Sequence, residues 1–79
     1  MTLNELEVLA QRMSGNTYVL VEHKYSDWYL FTFKMYPNSI HFLDVIQNRG
    51  VQAYSSGANG PTIEESTAFS ISVKVEYGK

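Results

Sequence analysis

Apolar residues follow two different periods along this chain, and the changes between them mark its elements. Leu6, Leu9, Ala10 and Met13 stand at i, i+3, i+4 and i+7, with Leu3 one turn earlier, the stripe of an amphipathic helix. Ahead of them Thr2-Leu3-Asn4-Glu5 is a Thr-x-x-Glu capping box, in which each side chain satisfies a backbone N–H of the first turn. Gly15 stands where a left-handed C-terminal cap is wanted. The spacing predicts a helix over 3–14.

From residue 17 the period is two. Thr17 to Lys24 is rich in β-branched and aromatic types and predicts a strand over 17–24. After the polar break Tyr25-Ser26-Asp27, a second strand over 28–36 places Tyr29, Phe31, Phe33 and Met35 on one face, with Trp28, Leu30, Thr32, Lys34 and Tyr36 on the other. Pro37-Asn38 would end it, since proline offers no N–H for continued pairing. Residues 39–47 fit two elements. Ser39 could cap a helix in which Ile40, Leu43 and Ile46 share a face, but the β-branched content and the following Asn48-Arg49-Gly50, a common hairpin loop, favour a strand over 40–47. That strand would pair back with a short one over 51–55. Residues 55–61 have loop composition, and Thr62-Ile63-Glu64-Glu65 could cap one helical turn. Phe69, Ile71, Val73, Val75 and Tyr77 then alternate with polar residues, predicting a last strand over 67–77 with one dry face. The expected fold is α+β: one N-terminal amphipathic helix packed on a four- or five-stranded antiparallel sheet, forming a single domain over 1–79.

Composition narrows the function classes. The absence of cysteine excludes a disulfide framework, a thiolate zinc site and a cysteine nucleophile, so an apolar core must hold the fold alone, and 44% hydrophobic residues supply one. The net charge is −2, and its six cations are scattered among acidic residues, which leans against nucleic acid as a partner. No apolar run is long enough for a membrane span, and no basic stretch precedes an apolar block as in a signal peptide; the expected location is the cytoplasm.

Candidate chemistry is sparse. His23 and His41 are the two histidines, and in strands Glu22 and Asp44 would point away from them, so no metal site or general base is expected. None of the serines stands in a nucleophile motif, and Gly57-Ala58-Asn59-Gly60-Pro61 lacks the Gly-Lys-Ser/Thr of a phosphate cradle. No catalytic residue, cofactor or metal is assigned, and the chain is read as a non-enzyme.

Leu3-Asn4-Glu5-Leu6 with the rest of its helix, followed by Tyr18-Val19-Leu20-Val21-Glu22 and Phe31-Thr32-Phe33-Lys34, resembles the first half of a double-stranded-RNA-binding domain. That family closes with a lysine-rich helix that grips phosphates, whereas this chain closes with the alternating pattern of 67–77, so the resemblance stops short of the part that binds RNA.

The informative oddity is aromatic. If Tyr29, Phe31, Phe33 and Met35 face the helix, then Trp28, Leu30 and Tyr36 project from a face that one helix cannot cover. Trp28, Leu30, Tyr36 and Tyr54 are therefore the expected partner-binding residues of a non-catalytic protein-binding module. In size and weak acidity the chain resembles small phage-encoded inhibitors, anti-CRISPR proteins among them. The alternatives are a homodimer formed through the same patch, or a nucleic-acid binder stacking bases on Trp28, Tyr36 and Tyr54 beside Lys24, Lys34 and Arg49.

Overall fold

A computed structural model describes residues 1–15, 19–58 and 69–75, with the side chains of 57 and 58 excepted. Helix α1 (Leu3–Ser14) leads into strands β1 (Leu20–Tyr25) and β2 (Trp28–Phe33); helix α2 (Tyr36–Asn48) follows, then strands β3 (Ala53–Ala58) and β4 (Phe69–Lys74). The sheet has the order β1-β2-β4-β3, and every neighbouring pair is antiparallel. The architecture is a small α+β arrangement of two helices and four strands. Because β4 runs against both neighbours, β2 and β3 are parallel to one another, joined by α2 and separated by the strand that comes last.

The capping box forms as the sequence predicts. The Glu5 N–H donates to Thr2 Oγ1 at 3.2 Å, and the Thr2 N–H donates to Glu5 Oε1 at 2.8 Å. The backbone of Thr2, then its hydroxyl, holds the Glu5 carboxyl below its ordinary value. Gly15 ends the helix with φ 62°.

The stretch expected as a strand over 40–47 is α2. Met35 stands at its N-cap, and Pro37 lies in its first turn, where the missing N–H is no loss. The expectation that proline ends a strand is thus replaced by proline opening a helix. The inward stripe is Ser39, Phe42 and Ile46, with Leu43 half-buried beside it, while Ile40 is largely exposed. Asn48-Arg49-Gly50 is the helix terminus and not a hairpin loop. Gly50 adopts φ 84°, its N–H donates to Gln47 O at 3.0 Å, and the Val51 N–H donates to Ile46 O at 3.0 Å. These are the two bonds of a Schellman motif, which only a residue comfortable in left-handed backbone closes cheaply. Strand β2 also ends earlier than the expected 28–36: Met35 is exposed rather than in the core, and Tyr36 is the first residue of α2.

Both helices lie on the same side of the sheet. Helix α2 packs on β2, β3 and β4, with α1 against α2. Leu6 and Ala10 of α1 and Phe42 and Ile46 of α2 meet Phe31, Phe33, Ile71 and Val73 in one core. The Phe42 ring sits 5.3 Å from that of Phe31 and 5.2 Å from that of Phe33. No buried side-chain polar atom among the described residues lacks a hydrogen-bond partner.

Candidate functional site

Strand parity assigns the other face of the sheet. The residues of β2 and β4 that miss the core are Trp28, Leu30 and Thr32, and Ser70, Ser72 and Lys74, and they pair across the two strands as Trp28 with Lys74, Leu30 with Ser72 and Thr32 with Ser70. On the flanks Tyr54 lies opposite Ser72, Glu22 opposite Leu30, and Tyr25 opposite Trp28. No described helix reaches this face.

Its aromatic centre spans three strands. Tyr54 of β3 places its ring 5.5 Å from that of Trp28 on β2, across the intervening β4. Trp28 and Leu30 are half-buried, whereas Tyr54 is 45% exposed and Tyr25 53% exposed. Three of the four expected partner-binding residues therefore share one surface. Tyr36 does not. As the first residue of α2 it lies on the helix side of the sheet, its ring edge-on to Phe69 at 5.3 Å, because the strand whose parity would have turned it outward has already ended.

Beside the aromatic pair lies a group of hydroxyls that the sequence reading passed over. Lys24 sits at the register shift of edge strand β1, and its side chain lies flat across β2. Its ammonium donates to Ser72 Oγ at 3.1 Å on β4, and to Ser56 Oγ and Tyr54 Oη at 3.5 Å each on β3. Ser56 and Ser72 are bonded at 2.6 Å, and Thr32 and Ser70 at 3.2 Å further along the face. The ammonium also stands 5.8 Å from the Tyr25 ring centroid and 5.6 Å from that of Tyr54, within cation–π range. The Ser72 hydroxyl, and after it Lys24, hold the Tyr54 phenol below its ordinary value. A serine beside a lysine is also the start of a nucleophilic dyad. Ser72 is closed to solvent whereas Ser56 is exposed, so the group presents outward positive charge and the hydroxyls of Ser56 and Tyr54.

The parity of Ser70 and Ser72 against Phe69, Ile71 and Val73 was the available signal for hydroxyls on this face. Nothing local signalled that Lys24 joins them.

The two histidines stand on different elements, His23 on β1 and His41 on α2. His23 Nε2 lies 2.8 Å from the carbonyl oxygen of Ser26, and the His23 ring packs edge-on to Tyr29 at 5.0 Å. His41 and Asp44, expected to diverge in a strand, stand three apart on α2, where such residues are neighbours. No cluster of three or more His, Asp or Glu side chains suited to a metal ion occurs among the described residues. Nor do the expected nucleic-acid cations converge: Arg49 lines a shallow groove with Arg12 and Leu9 of α1, away from Lys24. No helix among the described residues is long and apolar enough to cross a membrane.

No protein-family model, curated protein or solved structure matches this chain.

Proposed function

We propose that this chain is a non-catalytic protein-binding module whose partner docks on the sheet face turned away from both helices. The observation that carries the reading is the Trp28–Tyr54 ring pair, held on that face by three adjacent strands and flanked by Leu30, Tyr25 and Lys24. Tyrosine and tryptophan are the residue types that concentrate binding energy, and sheet strands give them little freedom to lose on binding. Within this class, size and weak acidity favour an inhibitor of the kind phages encode, acting on its target in the cytoplasm by occupying a surface.

The test begins with capture of the partner from a lysate of the source cells and a binding curve for the purified pair. Trp28→Ala and Tyr54→Ala should each weaken binding by about 2 kcal/mol if they are hot spots. Phe31→Ala should instead cost about 3 to 5 kcal/mol of folding stability. Unchanged affinity in a folded Trp28→Ala/Tyr54→Ala double variant would place the surface elsewhere. Should the captured partner be a second copy of the chain, mass in solution would rise with concentration.

One observation favours a second reading. Lys24 and Lys74 stand on the same face as Trp28 and Tyr54, which is how a stacking platform for single-stranded nucleic acid is built. Glu22 on that face and the net charge of −2 oppose it. A low-salt mobility shift with single-stranded oligonucleotides separates the two readings.

A further inference from the structure

Among the described residues the partners of Lys24 are all neutral. Three hydroxyl oxygens and two ring faces surround its ammonium, and none of them cancels a unit charge. Glu22, a carboxylate on the same face, is opposite Leu30 on β2 and is not among these contacts. The protons of the hydroxyls point the same way. Lys24 donates to Tyr54, Ser56 and Ser72, so their own hydrogens must go elsewhere. The Ser56–Ser72 bond uses one hydrogen, and the O–H of Tyr54, exposed at the mouth, is directed outward. Ser72 is wholly buried and fixes the floor, while Lys24, Tyr54 and Ser56 are exposed at the mouth.

We propose that Lys24 and the hydroxyls of Tyr54, Ser56 and Ser72 form a carboxylate-binding subsite, which receives an Asp or Glu side chain of the protein partner. The proposal rests on the reading of this face as a protein-docking surface and names the chemistry of its occupant. With one N–H released from its 3.5 Å contacts to Tyr54 and Ser56, the ammonium and the outward O–H together meet a singly charged carboxylate held by two oxygens. A phosphate calls for more cations in direct contact, or for a guanidinium fork; among the described residues Lys24 is the one cation bonded to these hydroxyls, with Lys74 two residues along β4. Trp28 and Tyr25 then shield the pair from water, which strengthens it.

The test uses the whole chain and probes that need no identified partner. An ¹⁵N spectrum is titrated at constant ionic strength with N-acetyl-glutamate amide, with its neutral counterpart N-acetyl-glutamine amide, and with inorganic phosphate. The glutamate probe should shift Lys24, Tyr54, Ser56 and Ser72 saturably, and the glutamine probe should not. Lys24→Met should weaken the glutamate response by about tenfold or more, as expected for a charge-assisted hydrogen bond, and Lys24→Arg should restore most of it. Lys24→Gln serves as a second variant should Lys24→Met alter the dispersed spectrum of the folded chain. Equal response to both amides, a response that survives Lys24→Met, or tighter binding of phosphate overturns the proposal. Its failure is distinguishable from that of the docking surface. A silent titration alongside partner binding that depends on Trp28 removes the subsite alone, whereas a specific titration alongside partner binding indifferent to Trp28 and Tyr54 removes the surface.

Discussion

Tyr54 reports the state of the far face more directly than any other residue. Its phenol is held below its ordinary value of 10.0 by the Ser72 hydroxyl first and Lys24 second. A group whose folded pKa is depressed adds stability that is present above the ordinary value and lost as pH falls through the folded one. A pH titration that follows the Tyr54 ring resonances should therefore place its ionisation below the ordinary value. Ser72→Ala should move that ionisation upward, and a Tyr54 midpoint left unchanged by Ser72→Ala would contradict the hydroxyl group as described. At this scale Trp28 and Leu30 were legible, because alternation against Phe31 and Phe33 fixes their side of the strand. The bonds of Lys24 to Ser56 and Ser72 were not: they join residues 32 and 48 positions apart, and no spacing rule reaches that far.

Helix α2 shows why one element was misread. Asn48-Arg49-Gly50 suits a hairpin loop and a Schellman terminus equally, because both ask for a residue with positive φ at the glycine. Ser39 adds to the ambiguity by standing in the buried stripe, where its hydroxyl donates to Tyr36 O at 2.7 Å and so removes an apolar mark from the helical period. The choice is made by tertiary burial. Phe42 and Ile46 reach Phe31 and Phe33 only from a helix, and this outweighs the β-branched propensity of Ile40, Val45 and Ile46. The Schellman geometry carries its own prediction. A Cβ at Gly50 would meet nothing within 4 Å, so Gly50→Ala should be purely a backbone penalty, about 1 kcal/mol by urea midpoint. Gly50→Asn should lose less, since asparagine tolerates the left-handed region better. An unchanged midpoint in Gly50→Ala would show that the helix end is not held in this conformation.

Across the whole molecule the N-terminal helix, the antiparallel sheet and the dry face of the last described strand follow from alternation and capping, but the expected pairing of 40–47 with 51–55 does not occur: the first is helical, and β3 pairs with β4 instead. The order of the strands does not, because pairing is set by contacts far apart in sequence. That order puts β4 at the centre. Replacing Ile71 by alanine, at the middle of β4 and paired with both Phe31 and Ser55, should cost roughly 2 to 5 kcal/mol. For a domain whose total stability is of order 5 to 15 kcal/mol, that loss is felt everywhere. Amide hydrogen exchange should show β2, β3 and β4 losing protection together, and a β3 that opens separately from β2 would refute the shared unit.

The central position of the last described strand also sets what must be assembled. The β1–β2 pair, α2 and the β3–β4 pair can each form between consecutive elements, but β2 and β3 are brought side by side only when β4 pairs with both. Trp28 and Tyr54 come from opposite sides of β4. Without β4 paired on both sides they are strangers, and the surface they make together exists only in that three-strand arrangement. A partner that needs both rings thus discriminates the finished fold from all its precursors, and by binding it acts as a ligand of the native state alone, raising the stability of the entire chain rather than of one region.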